Sequence, residues 1–301
     1  MSSTPTNTTS GATASSEFFS LLNGKAEKIR MLPSVATQAL EIVKDPDCAI
    51  GEFASVVEHD MKLAADILRL ANSAVYRVGA PVVSLHEAVI RLGFRQCKNL
   101  ILSSCMSTMM KSVDLEEEWI RGVLWKHSYV TAVAALHLNR TLHLGFQGEE
   151  FTAGLMHDIG RTLFAVLVPE RFSEIDPLEF DESAATLEHE RTVIGGTHAE
   201  LGAAFADRNK LPSALVDVVQ YHHTPLEATN NRELVALIHA ADHVANHLQR
   251  FNEPLGYDPL LNPGIQIIAA ERGARIMELF ASSANEIMNH SLQDAAEAVN
   301  I

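Results

Sequence analysis

Apolar residues recur at helical spacing over most of this chain, and no segment alternates with the period of two that a half-buried strand requires. Phe53, Val56, Val57, Met61, Leu63, Ala64, Ile67 and Leu68 predict two linked helices ending near Asn72-Ser73. Ser84-Leu85-His86-Glu87 has the form of a capping box, in which the serine oxygen and the glutamate carboxylate satisfy the first free backbone N–H groups of a helix. That helix is expected to run through Ala88, Val89 and Leu92, to break at Gly93, and to be followed by another reaching Met110. After a charged stretch from Lys111 to Glu118, helical patterns return near 119–139, 148–167, 183–192, 197–208, 212–222 and 232–249. Thr197-x-x-Glu200 is a second capping-box candidate, Pro212 suits a first helical turn, and Pro225 falls just past a helix end. Asn252 to Pro263 reads as a loop, and an apolar terminal helix follows from Glu271 to Met288.

These elements predict an all-α fold. A polar, disordered tail is expected over 1–20, a helical subdomain over 21–118, a second one over 119–250, and a loop with a C-terminal helix over 251–301. The chain has 301 residues, 47% of them hydrophobic, which is enough to build a sizeable core. Its formal net charge of -15 works against nonspecific nucleic-acid binding, because phosphate contact needs a dense Lys/Arg surface. The three cysteines, Cys48, Cys97 and Cys105, show no paired spacing and read as reduced thiols. No apolar run is long enough to span a membrane, and residues 1–16 have neither the basic nor the apolar region of a signal peptide. A cytoplasmic location is expected.

Four stretches of the first half carry a specific resemblance. They are Met31-Leu32-Pro33-Ser34-Val35-Ala36, Asp45-Pro46, Leu68-Arg69-Leu70-Ala71-Asn72-Ser73-Ala74, and Ser84-Leu85-x-x-Ala88-Val89-x-x-Leu92-Gly93. In order and spacing they resemble the HDOD family of bacterial signalling proteins, over roughly residues 25–245. The resemblance implies an N-terminal helical bundle packed against a divergent HD-domain bundle. On their own, Asn72-Ser73 read as a helix stop and Leu32-Pro33 as a helix entry. His59-Asp60 is also an HD dipeptide, but it lies in the wrong subdomain for a metal ligand.

Candidate chemistry sits in the second half. His127 shares a helical face with Val123, Leu124, Val130, Thr131 and Ala134, and Asp242 shares one with Val235, Ile238 and Ala245. His157-Asp158 follow Gly154-Leu155-Met156 on a largely apolar helix. Buried carboxylates and imidazoles need partners, either a hydrogen-bonded network or a shared cation. The order His127, His157-Asp158, Asp242 resembles the metal-ligand order of the HD phosphohydrolase superfamily. His198, before Leu201-Gly202-Ala203, and the pair His222-His223 resemble histidines that extend the site in HD-GYP phosphodiesterases. His189 matches no such pattern and reads as surface.

The departures point away from a cyclic di-GMP phosphodiesterase of HD-GYP type. Val123 stands where three-metal members carry a glutamate, and Thr224-Pro225-Leu226 replaces the GYP triplet. Arg161 stands where an HD-x-G-K run has lysine, a change that keeps the charge and can fork onto a phosphate. The resemblance thus implies one or two divalent transition ions (Fe, Mn, Zn or Ni), with Asp158 bridging and Arg161 contacting phosphate. It implies a regulatory module without catalysis, acting on signalling proteins or through a nucleotide second messenger. The alternative is a metal-dependent phosphohydrolase or phosphodiesterase. The terminal helix leaves a choice between packing back onto the bundle, which is favoured, and forming a homodimer contact.

Overall fold

The structure, a computed structural model, describes residues 18, 33–43, 45, 47–72, 79–112, 115, 117–181 and 184–299. Among them none lies in a strand, and no helix is long and apolar enough to cross a membrane. Most of the expected tail, together with Met31-Leu32, Pro46 and Ser73-Ala74, lies outside the described residues. Phe18 is the exception within the tail. Its ring is buried, edge-on to Phe164 at 6.2 Å.

The first half contains α1 (Ser34–Ile42), α2 (Ile50–Val57), α3 (Met61–Ala71) and the long α4 (Leu85–Ser112). Asp60 starts α3 by accepting from the backbone N–H groups of Lys62 and Leu63. The His59 ring meets the Ser55 carbonyl instead, so this HD dipeptide is a helix cap. Asn72 ends α3 and ties down the returning chain, donating to the Val82 carbonyl and accepting from the Val82 N–H, both at 2.8 Å. Gly93 breaks α4 as its sequence predicts, with φ +76, ψ 158, a conformation open to glycine.

Two faces of α4 separate two cores. Ile101 and Cys105, one turn apart, pack with Phe53, Ile67 and Val89 of the first half. Leu102, Met106 and Met109 pack into a larger second core. The second half comprises α5 (Glu118–Leu142), α6 (Glu149–Met156), α7 (Ile159–Leu167), α8 (Pro169–Ile175), α9 (Ala184–Ile194), α10 (His198–Arg208), α11 (Ser213–Tyr221), α12 (Arg232–Phe251), α13 (Pro263–Arg272) and α14 (Arg275–Val299). Helix α5 is central and packs against α6, α12 and α14. Ile276, Phe280, Ile287 and Met288 of α14 are buried in this core, so the terminal helix packs back onto the bundle.

Two boundaries differ from the sequence expectation. The helix expected over 148–167 is two helices, parted at Asp158 (φ -101, ψ 20). The helix expected from Glu271 is divided by Gly273 (φ +103) between α13 and α14. Apolar periodicity runs through both breaks because the flanking helices bury the same core.

Candidate metal centre

Seven side chains predicted from the sequence converge between α5, α6, α7, α10, α11 and α12. His127 projects from α5, His157 and Asp158 from the break between α6 and α7, His198 from the start of α10, His222 and His223 from the end of α11, and Asp242 from α12. All except His223 are 3% exposed or less.

The break after α6 has a function. It turns Asp158 so that its two oxygens face different groups. Oδ2 stands 3.5 Å from His127 Nε2 and 3.5 Å from His157 Nε2. Asp242 Oδ1 completes that side, 3.0 Å from His127 Nε2 and 3.5 Å from His157 Nε2. Oδ1 of Asp158 stands 3.4 Å from His198 Nε2 and 3.3 Å from His222 Nε2. His223 Nε2 lies 3.0 Å from His198 Nε2. Asp158, His198, His222 and His223 form one group able to hold a metal ion, and His127, His157 and Asp158 another. Asp158 belongs to both.

Hydrogen bonds on the far side of three of the rings fix what faces the centre. His157 Nδ1 contacts the Gly154 carbonyl at 2.8 Å, and His222 Nδ1 the Val219 carbonyl at 3.0 Å. Only a protonated Nδ1 can bond a carbonyl, so each donates. His198 Nδ1 likewise donates to Glu190 Oε1 at 2.7 Å, and the His198 backbone N–H donates to Glu190 Oε2 at 2.8 Å. In neutral imidazoles this leaves the Nε2 lone pairs directed inward, the arrangement by which metal-binding histidines are oriented.

Lone pairs facing carboxylate oxygens at such distances repel unless a proton or a metal ion lies between them. Among the described residues, His157 Nε2, Asp158 Oδ1 and both nitrogens of His127 find no hydrogen-bond partner of ordinary geometry although buried. Protonation resolves the conflict at His157. Burial opposes a charge on His157, but the Asp158 and Asp242 carboxylates outweigh it and raise its pKa to about 9. Burial keeps His127, His222 and His223 neutral, with pKa values below the ordinary imidazole value. Asp158 and Asp242 stay ionised despite burial, Asp158 through His157 and Arg161, and Asp242 through His127 and His157. Two carboxylates surrounded by inward-facing imidazoles fit one or two divalent transition ions.

Three residues that sequence reasoning did not single out complete the site. Glu190 on α9 positions His198 as described, and is 2% exposed. Asp176 accepts from Arg161 Nε at 2.6 Å and from Nη2 at 2.9 Å. Phe180 covers the centre, its ring 4.8 Å from the His127 ring and 4.7 Å from the Arg161 guanidinium carbon. Glu190 lies in the run Glu188-His189-Glu190-Arg191, which reads as a solvated face, and Asp176-Pro177 reads as a turn. Neither stretch signals that its carboxylate turns inward. His189 stays outside, exposed and bonded to the Glu174 carbonyl.

Arg161 is buried, and its Nη1 donates to Asp158 Oδ2 at 3.0 Å. Beside it lies a small cavity of about 110 Å³, bounded by Arg161, Phe180, Glu190 and His198.

Residues 29–225 match the HDOD domain. An uncharacterized protein of Treponema pallidum (strain Nichols) is 28% identical over 202 residues. The alignment covers 66% of this chain and 39% of that protein, so the chain spans about two fifths of the length of the curated relative it matches. An HDOD domain protein of unknown function from Geobacter sulfurreducens has the same fold, with TM-score 0.68 and 24% identity, over 91% of this chain and 97% of that one. So does a protein from Shewanella amazonensis SB2B described as a candidate metal-dependent phosphohydrolase, with TM-score 0.59 and 22% identity, over 93% and 99% of the two chains.

Proposed function

The chain belongs to the HDOD domain family, and on that premise we propose that it is a signal-transduction module whose second half is built around a two-ion metal centre. In this reading the metals hold a conformation that partner proteins recognise, and no substrate is turned over. The observation that carries the metal centre is the bridging placement of Asp158 between two groups of inward-facing imidazoles. His127, His157 and Asp242 would hold one ion, and His198, His222 and His223 the other, with Asp158 shared. Burial favours a regulatory role. The cavity beside the centre, about 110 Å³, is smaller than the several hundred Å³ usual for a ligand site.

A second reading, a metal-dependent phosphohydrolase, is favoured by one observation. The same cavity reaches both His198 and Arg161, so a phosphate admitted there would meet a cation beside the ligand cluster. Bound ions would supply Lewis acidity toward a phosphate oxygen. In that case Asp158 and Arg161 would be the catalytic pair, Asp158 as the shared ligand and Arg161 as the phosphate contact.

Hydrolysis of bis-p-nitrophenyl phosphate by Mn-loaded protein separates the two readings. The regulatory reading predicts a rate no higher than that of the Asp158→Ala variant. Turnover above that control would overturn it and leave the hydrolase.

A further inference from the structure

A second concavity lies on the opposite side of α5 from the metal centre, where the two halves of the molecule meet. It is a cleft of about 450 Å³ between α3 and α4 on one side and α5 and α6 on the other. That volume lies within the range of small-molecule sites.

The two walls differ in chemistry. One is aromatic. Trp125 and Tyr129, one turn apart on α5, have ring centroids 6.1 Å apart, and Phe151 of α6 stands edge-on to Tyr129 at 5.9 Å. The other wall is cationic, with Lys62 and Arg69 from α3 and Lys111 from the end of α4. A single carboxylate opposes these three charges. Asp66 Oδ2 lies 3.4 Å from Lys62 and Asp66 Oδ1 3.1 Å from Arg69. Lys111 has no acidic partner among the described residues. In a chain with 38 acidic and 23 basic residues, an excess of positive charge inside a cleft is against the general balance. Three serines, Ser103, Ser104 and Ser107, line the floor, and the Ser107 hydroxyl has no hydrogen-bond partner among the described residues.

Each feature matches one part of the same kind of molecule. Aromatic rings offer a stacking surface for a planar base. Three cations set against the single carboxylate of Asp66 leave a net positive charge that suits a phosphate, and an unpartnered hydroxyl suits a sugar. We propose that this cleft binds a single nucleotide, its base on the Trp125–Tyr129–Phe151 wall and its phosphate toward Lys62, Arg69 and Lys111. One aromatic wall and one cationic wall argue for one base and one phosphate group.

The position gives the site a consequence. Trp125 and Tyr129 lie two residues either side of His127, which places them on the opposite face of α5. Phe151 and Leu155 lie on α6, which leads directly into His157. A nucleotide in the cleft would therefore bear on the helices that carry two of the metal ligands. This inference stands apart from the metal reading, since none of the cleft residues is a metal ligand.

The test is calorimetric titration of the full-length, metal-loaded protein with adenosine and guanosine 5′-monophosphate. Saturable binding of at least one is expected, weakened about tenfold or more by Trp125→Ala and by Lys111→Glu, the loss expected for one stacked base or one phosphate contact. Lys111 is exposed, so Lys111→Glu should melt as the parent does. Absence of saturable binding by both nucleotides, or binding unchanged in Lys111→Glu, would overturn the assignment. So would binding unchanged in Trp125→Ala, because the base would then not lie on the aromatic wall.

Discussion

At the residue scale, the centre depends on which imidazole nitrogen faces inward, and Glu190 sets this for His198. Glu190→Gln removes the carboxylate that holds the Nδ1 proton. Loss of such a supporting contact typically weakens metal binding about 10–100-fold. The expected outcome is selective loss of the ion held by His198, His222 and His223, with the other ion retained. A calorimetric metal titration would show two sites in the parent and one in the variant. His157 gives the pH dependence. Its pKa near 9 means that the metal-free centre carries a proton on His157 at neutral pH, which an incoming ion must displace. Apparent affinity at that site should therefore rise about tenfold per pH unit from about pH 7 and level off near pH 9. Flat affinity over that interval would mean that His157 is neutral before metal arrives.

The same scale shows what the sequence made legible. His127 and Asp242 were visible because each is a polar residue on an otherwise apolar helical face. Glu190, Asp176 and Phe180 were not, because their contacts are made by residues 8 to 15 or more positions away, across turns that no local pattern describes. Arg161 was visible as a charge after the dipeptide, but its bidentate partner Asp176 was not.

At the element scale, the site requires helices to approach closely. A Cβ at Gly160 on α7 would overlap the His198 backbone carbonyl at the start of α10. Gly160→Ala must push α10 away, carrying His198 with it. Overpacking of this kind costs about 1–3 kcal/mol, so a lower melting temperature is expected together with weaker binding of the second ion. A thermal melt and a metal titration of one sample would check both, and an unchanged pair would show that α7 and α10 are not in contact. Periodicity predicted most of these helices, including the break at Gly93. It missed the break at Asp158 because α6 and α7 both bury apolar faces in one core, so the pattern continues while the backbone turns.

At the scale of the whole molecule, α4 presents one face to each core, and α5 and α6 separate the cleft from the metal centre. The two halves thus meet along helices whose other faces hold the chemistry. The proposed function rests on the centre being a metal site rather than a network of hydrogen bonds. The most direct measurement is the metal content of purified full-length protein by elemental analysis, beside its Asp158→Ala variant, after incubation with Mn, Fe or Zn and removal of free ions. Because Asp158 is shared by both groups, the account predicts about two ions per chain in the parent and close to none in the variant. Parent protein that retains no more metal than the variant would contradict it.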